Sequence, residues 1–104
     1  MAEIRPFAGV RYRVPDSDLA RMLAPPYDVI PPAYQDALYA RDPRNVVRIV
    51  LNRNAGDDGY EEAGTTFRRW QAEGVLAPDP EPSLYLLEQS FTVEGRPLAR
   101  VGLL

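Results

Sequence analysis

The chain has 104 residues, 45% of them hydrophobic and 26% charged, and a formal net charge of −3. That balance belongs to a folded chain rather than a disordered one, and the length fits one domain burying roughly 60–70% of the surface its unfolded form exposes. It has no His and no Cys, and all twelve basic residues are Arg; disulfides, Cys/His zinc sites, thiol nucleophiles, lysine Schiff bases and the lysine of a P-loop are therefore excluded.

Eleven prolines, about twice the typical share of roughly 5%, predict fixed turns and short elements. Between Pro6 and Pro15 the run Ala8 to Arg13 reads as a short edge strand. Asp16 or Ser17 caps a brief helix carrying Leu19, Met22 and Leu23 on one side, which must stop before Pro25. Pro31-Pro32 then opens a helix through Arg41, with Tyr34, Ala37, Leu38 and Arg41 on one face, closed by Asp42-Pro43.

Val46 to Leu51 is β-branched at four of six positions and apolar except at Arg48, which predicts an interior strand. The polar turn formers Asn52 to Gly59 follow, and Asp58 with Glu61 three residues later has a capping-box pattern. A helix over Tyr60 to Glu73 places Tyr60, Ala63, Phe67 and Trp70 on a core face. Gly74 stops it in the left-handed region, and Val75 and Leu76 fold back on its last turn. After a stiff connector from Ala77 to Pro82, alternation predicts a strand from Leu84 to Val93. Glu94-Gly95 makes a tight reversal, and Leu98 to Leu104 returns. The fold class is α+β: a small mixed sheet formed by 46–51, 84–93 and 98–104, with a C-terminal hairpin, packed by one main amphipathic helix and short helices.

Residue types left for chemistry are carboxylate, tyrosine, arginine, hydroxyl and backbone. Ala24-Pro25-Pro26-Tyr27-Asp28-Val29-Ile30 is the one stretch that looks chosen for more than folding. Two prolines, either of which tolerates a cis bond, hold Pro26, Tyr27 and Asp28 in place at low entropic cost, as a ligand contact requires. The alternative is a rigid corner in which Tyr27 packs on the core and Asp28 caps the helix begun at Pro31-Pro32 or closes an Asx turn. Arg48 inside an apolar segment needs a partner: Asp28, Asp36 or Asp42 by ion pairing, or an anion bound together with Asn45. Arg11, Arg13, Arg44 and Arg53 are candidates to add charge nearby. No catalytic residue and no metal ligand set stands out, because Asp57-Asp58 between two glycines lacks the alternating ligands of a calcium loop, and no cofactor is specified. The acidic balance disfavours nucleic acid as a partner of this segment, and the lack of a signal core or a transmembrane-length run predicts a cytoplasmic chain without a membrane role.

Four of these motifs occur together and in order: Ala24 to Ile30, Asn45-Val46-Val47-Arg48, the 60–76 helix ending Trp70-x-x-x-Gly74-Val75-Leu76, and Tyr85-x-x-x-Gln89-x-Phe91. In this the chain resembles the amino-terminal part of the uncharacterised bacterial and archaeal family called domain of unknown function 1015. Members are several hundred residues long, so the resemblance implies that 104 residues form a single domain at the start of a longer protein, with the remaining part of its own chain as one partner. It also implies a distant likeness to ParB-like folds and thus a nucleotide or other phosphorylated small molecule as ligand, although the family's His-Glu motif lies beyond the hairpin. On that reading Pro26, Tyr27, Asp28, Asn45 and Arg48 line the ligand site. The rival reading is a non-enzymatic structural or protein-interaction module using an exposed sheet edge.

Overall fold

The computed structural model describes residues 3–54 and 57–104, with Asp57 and Asp58 described by backbone alone. Among the described residues, four α-helices and four strands follow in the order β1 (Val10–Tyr12), α1 (Asp16–Met22), α2 (Pro32–Arg41), α3 (Val47–Val50), α4 (Asp57–Ala72), β2 (Leu76–Pro78), β3 (Leu86–Val93) and β4 (Arg96–Leu103). The fold is α+β, with two separate two-stranded antiparallel sheets, β1 with β2 and β3 with β4. The chain forms two compact units, Tyr12–Ala77 and Met1–Arg11 with Pro78–Leu104.

Local signals set most of the first unit. Helix α1 has Asp16 and Asp18 in its first turn and Arg21 in its last, charges that complement the helix dipole. It gives way to extended backbone at Leu23, as the approach to Pro25-Pro26 demands. A 3₁₀ turn over Tyr27–Val29 follows, closed by the Val29 amide on the Pro26 carbonyl at 3.1 Å. Helix α2 starts with proline in its first turn and ends where Asp42 turns extended ahead of Pro43, both for the reasons the sequence predicts. Every peptide bond among the described residues is trans, those before Pro25 and Pro26 included.

The predicted strand over Val46 to Leu51 is instead the single helical turn α3. Its bonds run from the Val50 amide to the Val46 carbonyl at 3.0 Å and from the Leu51 amide to the Val47 carbonyl at 2.9 Å. A strand would place 47, 49 and 51 on one face. Here Val47 and Leu51 enter a cluster with Ile30 and Leu38, whereas Ile49 packs with Trp70, Val75 and Leu76. Two cores on two sides of one segment require the helical period, and this tertiary demand overrides β-propensity. The expected three-segment sheet is lost with that strand.

Helix α4 begins at Asp57, three residues before the predicted start, and the capping role expected of Asp58 rests on a side chain outside the described ones. Trp70 is buried at 2% exposure and Phe67 packs beside it, but Tyr60, expected in the core, is 81% exposed. Gly74 has φ of +78° and the Val75 amide returns to the Trp70 carbonyl at 2.9 Å, so Val75 and Leu76 do fold back against the tryptophan. A Cβ at Gly74 would meet nothing within 4 Å; glycine is there for its backbone freedom. Tyr12 completes this core. Its ring lies 6.2 Å from Trp70, its hydroxyl donates to the Arg44 carbonyl at 2.6 Å, and burial, with the Asp42 charge, pushes that hydroxyl above the ordinary tyrosine range.

In the second unit, β3 and β4 pair in register from Leu86↔Leu103 to Val93↔Arg96. Glu94 and Gly95 both take positive φ, 51° and 77°, the two-residue reversal that matches strand twist. Every residue of both strands is exposed. The base of the hairpin is tied to the amino-terminal segment: Phe7 and Ser83 exchange backbone bonds of 3.0 and 2.9 Å, and the Phe7 and Tyr85 rings stack at 5.0 Å. Asp79 accepts from the Gly9 amide at 3.3 Å, from Arg11 Nε at 2.9 Å and from the Tyr85 hydroxyl.

Candidate functional site

Arg48 is the second residue of α3, and the helical turn carries its side chain to α2 rather than into a sheet. There Nη2 donates to the Tyr39 carbonyl at 3.1 Å, and the guanidinium carbon stands 4.4 Å from the Tyr39 ring centroid, within cation–π range. Its Nε is buried and has no hydrogen-bond partner among the described residues. None of the three carboxylates expected to pair with it does so among the described residues. Asp36 holds Arg53 at 2.9 Å, and Asp42 takes Arg21 at 3.5 Å and the Arg44 amide at 2.7 Å. Asp28 forms no ion pair with Arg48 among the described residues.

Tyr39 is itself fixed from a second direction. Arg53 lies 4.1 Å from the same ring centroid and its amide donates to the Tyr39 hydroxyl at 2.9 Å. Of the four arginines expected to add charge, Arg53 therefore does join Arg48, while Arg11 is paired with Asp79 and Arg44 with Glu73.

Arg48 and Tyr39 form one wall of a cleft of about 410 Å³, with Asn54 at its loop end and Glu61, Glu62, Thr65, Thr66 and Arg69 on α4 opposite. The polar side of the amphipathic helix thus lines a charged cleft. Asn54 donates to Glu62 across the loop. Among the described residues, Arg69 makes one ion pair, a 3.9 Å contact with Glu73, and its side chain is 59% exposed, so its guanidinium is open to a ligand. An arginine with a buried, unmatched N–H, beside a second arginine and hydroxyl and amide groups, suits an oxyanion of phosphate or carboxylate shape.

The other residues singled out from sequence for the ligand site are not among those that line the Arg48 cleft. Asn45 is fully buried and spent on the fold: its amide nitrogen donates to the Arg21 and Leu23 carbonyls at 2.8 and 3.0 Å, and its oxygen accepts from the Val47 amide at 2.9 Å. Pro26 and Asp28 are exposed, and α2 has no side-chain cap, so Asp28 does not play the capping part. Tyr27, 65% exposed rather than packed in the core, lines a second cleft of about 480 Å³ with Val50, Asn52, Asn54, Tyr60 and Ala63. Asn54 borders both clefts. Tyr39, Asn54, Thr65 and Arg69 were missed because no motif links them, and only the turn at α3 brings them to Arg48.

Fold and site together define a small α+β protein with an arginine-centred polar cleft. Residues 4–104 match the family model described as protein of unknown function (DUF1015), and the chain belongs to that family. No curated protein and no solved structure matches it. Among the described residues, no helix is long and apolar enough to cross a membrane.

Proposed function

We propose that the protein binds a small phosphorylated molecule, nucleotides included, with the phosphate against Arg48. The observation that carries this reading is the buried Nε of Arg48, which has no acceptor among the described residues, on a side chain that lines a charged cleft. Leaving a buried charged donor unmatched costs about 1–3 kcal/mol or more, and an oxyanion removes that cost. Tyr39 keeps the guanidinium plane in place, Arg69 supplies the second positive charge, and Glu61 and Glu62 favour a ligand that also carries hydroxyl or amino groups. The same reading accords with the ParB-like relationship that the family resemblance implies.

Isothermal titration of the protein with inorganic phosphate and with a nucleoside triphosphate tests it. Arg48→Met, which keeps the aliphatic stem, weakens both by tenfold or more, about 1.4 kcal/mol; Arg69→Met, altering a side chain that is 59% exposed, weakens both less. Absence of binding by the folded wild type, or unchanged affinity in folded Arg48→Met, contradicts the reading and leaves the structural or interaction module as the better account.

A further inference from the structure

The Pro25-Pro26 corner is not used by the anion site, yet it holds a tyrosine 65% exposed, and the first turn of α4 holds another, Tyr60, 81% exposed. Both line the cleft of about 480 Å³, whose remaining walls are largely apolar, with Ile49, Val50 and Ala63. Its two asparagine side chains are already engaged: Asn52 bonds the Gly59 carbonyl and the Asn54 amide, and Asn54 donates to Glu62. What this cleft offers a ligand is therefore mainly aromatic and aliphatic surface, with the two tyrosine hydroxyls as polar groups, and flat rings are what tyrosine faces take best. Tyr27 is held in a 3₁₀ turn behind two prolines, so little entropy is lost in using it. Asn54 forms the shared border with the Arg48 cleft.

Building on the anion-site reading above, we infer that the ligand is a phosphate ester carrying a planar ring, with the phosphate at Arg48 and the ring beside Tyr27 and Tyr60 across Asn54. Stacking on an aromatic side chain strengthens binding of a ring by about tenfold. Adenosine 5′-monophosphate and ribose 5-phosphate share the phosphate and sugar and differ in the ring, so their affinity ratio reads the ring cleft alone. The wild type binds the ring-bearing ester about tenfold more tightly, and the ratio falls towards one in Tyr60→Ala and in Tyr27→Ala, two exposed positions where the fold tolerates truncation. A ratio near one in the wild type, or a ratio that survives both substitutions, overturns the inference while Arg48-dependent binding of inorganic phosphate stands. If neither ester nor inorganic phosphate binds, the anion site and the ring cleft fall together.

Discussion

At the scale of single residues, Arg48 and Asn45 sit three positions apart and do opposite things. Asn45 satisfies its amide completely inside the protein, two donors to the end of α1 and its linker and one acceptor to the start of α3. Arg48 is left with a buried N–H that nothing among the described residues accepts. The first pattern is that of a structural clamp and the second is what the proposed anion site rests on, although both residues fall in the same sequence motif. Asn45→Ala should destabilise the fold by about 2–4 kcal/mol, because it strands two carbonyls and an amide and leaves a void. A urea unfolding curve measures this, and a shift below about 0.5 kcal/mol, the range of an ordinary surface change, contradicts the clamp.

At the scale of elements, the tie between the amino-terminal segment and the hairpin base turns on Asp79. The hydrogen bond from Tyr85, followed by the contacts from Arg11 and Gly9, holds its carboxyl below the ordinary range, against the opposing effect of burial. A carboxyl whose folded value lies below its unfolded value of about 3.9 contributes stability that is complete above the unfolded value and is lost as pH falls through the folded one. Tyr85→Phe removes the largest contribution. Its stability deficit should be full at pH 6 and should shrink below about pH 4, as read from urea midpoints across that range. A deficit of equal size at pH 3 and pH 6 contradicts the ionic character of the tie. Gly9 belongs to the same arrangement, since a Cβ there would collide with the Tyr85 hydroxyl and ring.

These elements also mark what was legible in the sequence. Helices α1 and α2, the Gly74 stop and the Glu94-Gly95 reversal are each dictated by residues within a few positions, prolines and glycines above all, and they form where expected. Helix α3 is not legible, because its cause is tertiary: the two apolar clusters that Val47 and Ile49 enter on opposite sides, with Asn45 just before it held by carbonyls 22 and 24 residues back. Tyr60 was misplaced for a related reason: its spacing continues the stripe of Phe67 and Trp70, but the core they serve ends before it. Arg48 stands out in the sequence as a charge inside a strand; the strand does not form, and the arginine lies in the helical turn α3 instead.

At the scale of the whole molecule, the two units differ in how they are stabilised. Residues 12–77 bury two apolar clusters, so that unit has an interior and can hold clefts of fixed shape. The hairpin unit rests on local pairing and the Asp79 tie, with Leu87, Phe91, Val93 and Leu98 exposed on one face and Leu86, Val101 and Leu103 on the other. A two-stranded sheet alone is marginally stable in water, so hydrogen exchange should be fastest in β3 and β4 and slowest at Leu38, Val47 and Trp70. The candidate ligand site lies wholly within the more stable unit, which is where preorganised chemistry belongs.

The central claim is that Arg48 is an oxyanion site, and the Arg48 Nε–H group reports on it directly. In ¹H–¹⁵N correlation spectra of the protein titrated with inorganic phosphate, the Arg48 Nε–H signal should move saturably with ligand, assigned by its loss in Arg48→Met, while those of Arg96 and Arg100 on the exposed hairpin stay in place. An Arg48 signal that does not move in the folded protein, or that moves only in step with every other arginine, contradicts the claim.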